Sequence, residues 1–271
     1  LFDDGALAGR PAPRHHKNIV NSVLPLRLAD IMSTDLLVVP RDLFVAETAR
    51  RMAERRVSSI LVCERGRPQG ILTERDVLRL LLVRPAAGTT VDEVMSRPAL
   101  TAHADTGFRA AYALLRRHGM RHLVVVDAAG AAVGIATETD FRRHLSRDVL
   151  RRIEDLRTVM DRNIPFVAPG RALQDALARM RDESWDCVLV GDREHPLGIL
   201  TERDLPALLA AGTDISTTRV EQVMTAPLRT VPARTPVAEA TRRMADGGLR
   251  HLVVIDERGH AVGLLNQHSL L

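Results

Sequence analysis

A threonine followed three residues later by an aspartate occurs three times in the sequence, each time at the start of an apolar run that favours a helix. The pairs are Thr73 with Asp76, Thr137 with Asp140 and Thr201 with Asp204. A hydroxyl and a carboxylate with this spacing can form a capping box that satisfies the first backbone N–H groups of a helix. A helix N-terminus with such groups beside a glycine also suits a ribose or a phosphate. The three pairs are therefore candidate helix caps and candidate ligand contacts at once.

These pairs belong to a longer repeat. The heptapeptide Gly-Ile-Leu-Thr-Glu-Arg-Asp at residues 70–76 returns unchanged at 198–204, and a third version occupies 134–140. A fourth version, at 263–269, keeps the glycine but lacks the threonine and the aspartate. Four methionines that close short apolar segments repeat with the same period, namely Met32, Met95, Met160 and Met224. Four copies of a unit of about 60 residues therefore fill the chain from Leu28 onward.

Apolar periodicity within the first unit predicts the elements that must position these side chains. A short strand at 36–39 precedes a helix at 44–56, two strands follow at 59–63 and 69–72, and a second helix begins at 74. The other units repeat this order. Each unit is thus predicted to be β-α-β-β-α, an α/β arrangement with apolar strands covered by helices. Because a unit of this size buries little surface alone, the four units are expected to pair.

Composition excludes several classes of protein. The 271 residues carry a net charge of +4 with acids and bases interleaved, and aromatic residues make up only 3%, so stacking platforms or a basic stripe for nucleic acid are not expected. No apolar run approaches the length that spans a bilayer. Cys63 and Cys187 show no metal-binding spacing and are predicted to be buried thiols in a reducing cytosol. We predict a cytoplasmic protein without nucleic-acid or membrane partners and, since the sequence begins at Leu1 rather than Met, a segment of a longer protein.

Taken together, the repeated features resemble the cystathionine-β-synthase (CBS) domain family. The resemblance rests on the order of elements, the opening methionines, the Gly-apolar-x-Thr-x-x-Asp heptapeptide and the strands that start at Arg121 and Arg250. It implies an α/β (α+β) fold of four CBS repeats paired into two Bateman modules, which associate as a disc within one chain or between two. The implied division is residues 1–27 as leader or linker, 28–147 as module one (repeats 28–83 and 89–146) and 148–271 as module two (repeats 150–210 and 218–271).

The resemblance also implies a regulatory function. Modules of this family bind adenosine nucleotides such as AMP, ADP or ATP, or related molecules such as S-adenosylmethionine and cyclic dinucleotides, in clefts between paired units. They pass a signal to a fused or associated effector domain. We therefore expect a ligand sensor that is not an enzyme, needs no cofactor and forms a homodimer through contacts between modules.

Carried over residue by residue, the resemblance assigns the ligand contacts. The ribose-binding acids are Asp76, Asp140 and Asp204, the neighbouring hydroxyls are Thr73, Thr137 and Thr201, the phosphate contacts are Arg121, His122, Arg250 and His251, and Arg75 and Arg203 are helpers. Unit four has Asn266 and Ser269 where the other units have threonine and aspartate, so its cleft is expected to lack a ribose contact. A phosphate site is expected where an odd unit supplies the acid and its even partner supplies the bases. The clefts at Asp204 and Asp76 therefore rank ahead of the cleft at Asp140.

Two other classes of function compete with the sensor. The first is an architectural scaffold that pairs chains and binds no small molecule, in which the Thr-x-x-Asp pairs act only as helix caps. The second is an enzyme, which the sequence does not support, because it contains no Walker-type glycine loop, no Cys-x-x-Cys pair and no nucleophile elbow. No catalytic or metal-binding residue is predicted.

Overall fold

Each of the four units contributes one three-stranded sheet, and the computed structural model describes the chain over residues 26–141, 144 and 155–266. In every sheet the first strand runs parallel to the second, and the third runs antiparallel to the second. Most of the predicted leader, the predicted junction between the modules near 146–154, and Ser269 lie outside the described residues. The α/β class and the repeated strand order are confirmed.

The strands follow the predicted apolar runs closely. They are β1 (Val38–Val39), β2 (Ser59–Glu64) and β3 (Arg67–Thr73) in unit one, β4 (Thr101–His103), β5 (His122–Val126) and β6 (Ala132–Thr137) in unit two, β7 (Phe166–Val167), β8 (Cys187–Gly191) and β9 (Pro196–Thr201) in unit three, and β10 (Thr230–Pro232), β11 (His251–Ile255) and β12 (Ala261–Asn266) in unit four. The centres of the second strands are buried on both faces, as expected for strands that read as continuous apolar runs.

The helices fall into three groups. A short opening helix, α-helical or 3-10, precedes each methionine: Leu28–Ile31, Val91–Val94, Leu156–Thr158 and Val220–Gln222. A first long helix follows the first strand of each unit: Val45–Arg55, Phe108–His118, Leu173–Asp182 and Val237–Asp246. A second helix follows the heptapeptide and is described in full in unit one, Glu74–Val83, and in unit three, Leu205–Ala210 after a 3-10 turn at Glu202–Asp204. No helix in these ranges has the length and apolarity needed to span a bilayer.

The identical heptapeptides lead into different helix starts. In unit one the α-helix begins at Glu74, directly after the threonine, whereas in unit three a 3-10 turn precedes the α-helix. The sequence after the second copy contains Pro206, which lies in the first turn of the α-helix. Proline has no backbone N–H to donate to the carbonyl four residues earlier, so an α-helix cannot continue backward through that turn.

Paired units exchange their opening helices. Leu28 and Ile31 of unit one are buried in the core of unit two with Phe108 and Leu115. Val91, from the opening helix of unit two, is buried in the core that contains the helices of unit one. In the second pair, Leu156, Val231 and Leu252 share the core of unit four, and Val220 belongs to the core of unit three. Residues that open one sequence repeat therefore complete the hydrophobic core of its partner.

The two pairs join through helices, within a single chain. The sheets of units one and two share an apolar layer that includes Leu61, Val124 and Ile135, and the sheets of units three and four share one that includes Leu189 and Val253. A larger core joins the helices of units one and three and contains, among others, Met52, Leu78, Leu81, Leu177, Met180 and Leu205. The contact between modules that was predicted to form a homodimer is thus already made within one chain.

The two cysteines differ in burial. Cys187 in β8 is buried, as predicted, but Cys63 in β2 is only half-buried. Cys63 lies next to the turn at Arg65 and Gly66, both of which have positive φ, and the chain leaves the sheet there. The prediction of a buried thiol was wrong for Cys63 because it ignored the position of the residue at the end of its strand.

Candidate ligand clefts between paired units

All three Thr-x-x-Asp pairs form hydrogen-bonded helix caps. The Oδ2 atom of Asp76 accepts bonds from the backbone N and the Oγ1 of Thr73, at 2.9 and 2.7 Å. The same two bonds measure 2.8 and 2.7 Å between Thr137 and Asp140. Between Thr201 and Asp204 both measure 2.8 Å. In each pair the cap engages one carboxylate oxygen, so the other oxygen decides whether the aspartate can also hold a ligand.

The second carboxylate oxygen distinguishes the first pair from the third. In Asp76, which is 7% exposed, Oδ1 accepts a bond from Ser96 Oγ at 3.2 Å and lies 3.5 Å from Arg79 Nη1. In Asp204, Oδ1 has no hydrogen-bond partner among residues 26–141, 144 and 155–266. The sequence analysis ranks these two acids equally. In the structure, both carboxylate oxygens of Asp76 contact neighbouring side chains, whereas among the described residues only Oδ2 of Asp204 accepts hydrogen bonds.

Asp204 lies in a cleft between units three and four with a total empty volume of about 640 Å³, open solvent included. One part of its lining is apolar and includes Ile199, Leu228, Leu249 and Val253. The other part is polar and consists of Thr201, Arg203, Asp204, Thr225, Arg229, Arg250 and His251. Five of the twelve predicted contact residues therefore lie together in this cleft. A cleft lined by apolar side chains together with a carboxylate and several guanidinium groups is typical of a site for a small polar ligand with an apolar part.

Arg203 lies at this cleft in an environment that is unfavourable for its charge. Its Nη1 donates to the carbonyl oxygen of Gly248 at 3.0 Å. Burial and the neighbouring charge of Arg250 lower the pKa of Arg203 below the ordinary value for arginine. An anion placed between these two guanidinium groups would therefore be stabilised by both.

The other predicted phosphate-binding arginines are held by glutamates of the opposite module. Arg250 Nη1 donates to Glu74 Oε2 at 2.5 Å, and Arg121 Nη2 donates to Glu202 Oε2 at 2.5 Å. The side chains of Glu74 and Glu202 are only 5% and 3% exposed. Arg75 Nε lies 3.7 Å from Glu202 Oε1. Arg121 thus contacts unit three, whereas the sequence analysis predicts that it lies beside Asp76 of unit one.

The two histidines in register have different partners. His122 Nε2 lies 2.9 Å from Ser58 Oγ, at hydrogen-bond distance. Burial and the charges of Arg121, Arg250 and Arg75 lower the pKa of His122 to about 3. The imidazole of His122 is therefore neutral at physiological pH. His251, whose side chain is 6% exposed, has Nε2 at 3.1 Å from Asp186 Oδ1.

The glutamates of the heptapeptide are the contacts that sequence reasoning did not identify. Glu74 and Glu202 occupy the same position in the two identical copies, and Glu138 occupies it in the third. Their repetition was visible, but glutamate at the first position of a helix is also an ordinary choice for the helix dipole. Nothing in the spacing of the chain indicates that these carboxylates meet arginines some 80 and 176 residues away.

The family model for the CBS domain matches the chain four times, at residues 28–83, 91–147, 153–210 and 220–271. Among curated proteins, arabinose 5-phosphate isomerase KdsD of Pseudomonas aeruginosa is 37% identical over 128 residues, which cover 47% of this chain and 39% of that protein. The CBS domain-containing protein CBSCBSPB3 of Arabidopsis thaliana is 27% identical over 300 residues, covering 95% of this chain and 53% of the relative. This chain therefore spans only 39 to 53% of the length of these two proteins.

Among solved structures, protein MJ1225 of Methanocaldococcus jannaschii superposes with a TM-score of 0.77 at 18% identity, covering 90% of this chain and 98% of that one. An uncharacterised protein of Pyrococcus horikoshii superposes with a TM-score of 0.57 at 21% identity, with the same coverage. At these identities the superpositions establish the shared fold of four paired repeats.

Proposed function

Because the chain belongs to the CBS domain family, we propose that it is a regulatory ligand-binding module that holds an adenine nucleotide, or a related nucleoside, in the cleft between units three and four. The observation that carries this proposal is the Oδ1 atom of Asp204, which accepts no hydrogen bond from the described part of the chain and lies in the same cleft as Arg203, Arg229 and Arg250. A carboxylate can accept charge-assisted hydrogen bonds from two ribose hydroxyls, and guanidinium groups bind phosphate oxygens.

The parts of a nucleotide correspond to the parts of the cleft. The apolar side chains of Ile199, Leu228 and Val253 can cover the face of a base, and Asp204 can accept the ribose hydroxyls. The arginines at the polar end, together with Thr201, supply the positive charge and the hydroxyl that phosphates require. A bare phosphate would use only the polar end, so the cleft favours a nucleoside ligand over an inorganic anion.

The arrangement also ranks the remaining clefts. Asp76 already accepts a bond from Ser96 and lies beside Arg79, so a ribose would have to displace those contacts. We therefore propose that the Asp204 cleft is the principal site and that the Asp76 cleft binds more weakly or not at all. The same is proposed for the Asp140 cleft, because its partner unit has Ser58 and Ser59 where the even units have an arginine and a histidine.

Binding in this cleft would act on the opposite module. Arg250 lines the cleft and donates to the buried Glu74 of unit one. A phosphate that competes for Arg250 would weaken that ion pair and so favour a different placement of the unit-one helix. We propose that this competition carries the signal to a fused or associated effector, since the relatives named above are longer than this chain.

Isothermal titration calorimetry with AMP, ADP, ATP, S-adenosylmethionine and cyclic dinucleotides tests the proposal. Asp204→Asn keeps an oxygen for the helix cap but removes the charge that would accept ribose hydroxyls, and Asp140→Asn is the matched control in another copy of the motif. We expect at least one ligand of the panel to bind, Asp204→Asn to weaken that binding about 10-fold or more, and Asp140→Asn to leave it unchanged. Equal binding in both variants would place the ligand elsewhere.

The competing function is a scaffold without a small-molecule ligand, and the observed caps support it, because all three aspartates have a structural role. Under that hypothesis a folded protein gives no heat with any ligand of the panel. Asp204→Asn would then differ from the parent only in stability.

A further inference from the structure

Three side chains that can bind a metal meet where units three and four join. They are Asp186, directly before β8, Cys187, the first residue of β8, and His251, the first residue of β11. One oxygen of Asp186, the sulfur of Cys187 and one ring nitrogen of His251 all lie within 4.8 Å of one another. The spacing of these residues in the sequence does not predict this group, because the histidine belongs to a different unit from the adjacent acid and thiol.

One atom of this group, Nε2 of His251, is buried without a hydrogen-bond partner in the described residues. The side chain of His251 is 6% exposed, and its Nε2 lies 3.1 Å from Asp186 Oδ1. The relative orientation of the two groups does not make a hydrogen bond, and Nε2 is buried without any hydrogen-bond partner in the described residues. A buried polar atom without a hydrogen bond destabilises the fold unless a ligand or an ion completes its contacts.

The first pair of units provides an internal comparison. There the equivalent residues are Ser58, directly before β2, Ser59, the first residue of β2, and His122, the first residue of β5. The Nε2 of His122 is satisfied by Ser58 Oγ at 2.9 Å. In the second pair, both serines are replaced by residue types that ligate metals, and the histidine nitrogen loses its hydrogen bond. At this position the two pairs therefore differ in the chemistry of the side chains that lie next to the histidine.

We propose that Asp186, Cys187 and His251 form a site for a thiophilic divalent cation of the Zn²⁺ class. Zinc binds thiolate, imidazole and carboxylate ligands, and three protein ligands with a fourth position open to solvent is a common zinc arrangement. The thiolate and imidazole disfavour Mg²⁺ and Ca²⁺, which prefer oxygen ligands. The cation would accept the lone pair of His251 Nε2 and so remove the unsatisfied buried atom.

Binding of the cation would release the proton of the thiol. Burial and the adjacent Asp186 raise the pKa of Cys187 well above its ordinary value, so the thiol is protonated in the metal-free protein. A divalent cation reverses this preference and binds the thiolate, as in other metal sites with cysteine ligands. The site goes beyond the proposed nucleotide function and does not depend on it, although His251 also lines the cleft that contains Asp204.

The test is a titration of the metal-free, reduced chain with Co²⁺, followed by displacement with Zn²⁺. Co²⁺ bound to a thiolate in a tetrahedral site gives a charge-transfer band in the near ultraviolet and visible d–d bands. We expect one Co²⁺ per chain, both sets of bands, and their loss when Zn²⁺ is added. Co²⁺ that binds without a thiolate band, or fails to bind to the folded parent, would overturn the proposal and leave Asp186 and His251 as a contact between two protein side chains only.

Variants assign the ligands. We expect Cys187→Ser to abolish the charge-transfer band and His251→Gln to weaken Co²⁺ binding by more than the roughly 10–100-fold that loss of an outer contact costs. The matched controls are Cys63→Ser and His122→Gln, which alter the other cysteine and the equivalent histidine and are expected to retain the parent spectrum. Circular dichroism on each variant separates loss of metal binding from loss of folding, and a band that survives Cys187→Ser but not Cys63→Ser would contradict the assignment.

Discussion

The sulfur of Met95 occupies the space that a β-carbon on Gly70 would need. The same relationship holds between Met32 and Gly134, Met224 and Gly198, and Met160 and Gly263. The two markers of the sequence repeat, the opening methionine and the glycine of the heptapeptide, are therefore contact partners across each pair of units. The residue after the methionine also forms an antiparallel β-bridge with the residue after the glycine, as Ser96 does with Ile71.

Replacement of one of these glycines is expected to loosen a pair. In Gly198→Ala the new methyl group would overlap Met224 and approach the carbonyl of Thr225, and overpacking of this kind costs about 1–3 kcal/mol. Chemical denaturation measures the loss. The control is Gly88→Ala, since a β-carbon at Gly88 meets no atom within 4 Å. A Gly198→Ala protein as stable as the Gly88→Ala protein would show that the methionine moves aside freely.

The ion pair between Arg250 and Glu74 is expected to be important for stability because Glu74 is buried. Arg250→Met leaves the carboxylate of Glu74 without its partner, which we expect to cost about 3 kcal/mol. The double variant Glu74→Gln with Arg250→Met should recover part of that loss. The comparison pair is Arg27 with Asp105, at 2.8 Å but 60% and 65% exposed, where removal of one charge should cost less than about 1 kcal/mol. Equal costs for the two pairs would contradict the distinction.

The depressed pKa of His122 predicts a pH dependence of stability. The pKa is about 3 in the folded protein and 6.5 in the unfolded chain, so between these values only the unfolded chain takes up the proton. The contribution to stability is complete above pH 6.5 and is lost as pH falls toward 3, at up to about 1.4 kcal/mol per pH unit. The free energy of unfolding should therefore fall less steeply in His122→Gln than in the parent. Parallel curves for the two proteins would show that His122 is protonated when folded.

The helix cap at Thr73 gives a prediction that separates capping from ligand binding. Thr73→Ala removes the hydroxyl that contacts Asp76, and we expect a loss of about 1 kcal/mol in the free energy of unfolding. Thr73→Ser, which keeps the hydroxyl, should be close to the parent. If the principal ligand cleft is the one at Asp204, neither change should alter nucleotide affinity. A loss of affinity in Thr73→Ala would bring the Asp76 cleft back as the principal site.

The sequence predicted the elements well because they depend on local patterns. The runs around Val62 and Val125 and the heptapeptide at Gly70 contain their own periodicity and turn signals, and the observed strands differ from the predicted ones by a residue or two. The caps at Asp76, Asp140 and Asp204 were equally local. These features can be predicted without knowing which distant residues pack against them.

The parts that sequence could not give all depend on residues far apart in the chain. Nothing near Leu28 shows that it completes the core of the next unit, and nothing near Glu202 shows that it meets Arg121. The ranking of Asp204 over Asp76 depends on Ser96, which comes from the neighbouring unit. The two identical heptapeptides are therefore surrounded by different residues of their neighbouring units, and only the tertiary structure shows which aspartate is available to a ligand.

The core shared by the helices of units one and three has a consequence for synthesis on the ribosome. Arg84 and Asp214, which pair at its edge at 2.6 Å, are 130 residues apart. At a translation rate of about 5–20 residues per second, the apolar helix face of unit one would wait roughly 6–26 s before its partner emerges. During that interval the nascent first pair exposes Leu78 and Leu81, which the finished chain buries. A chaperone that binds exposed apolar side chains is therefore expected to act on the first half of the protein, before unit three has been synthesised.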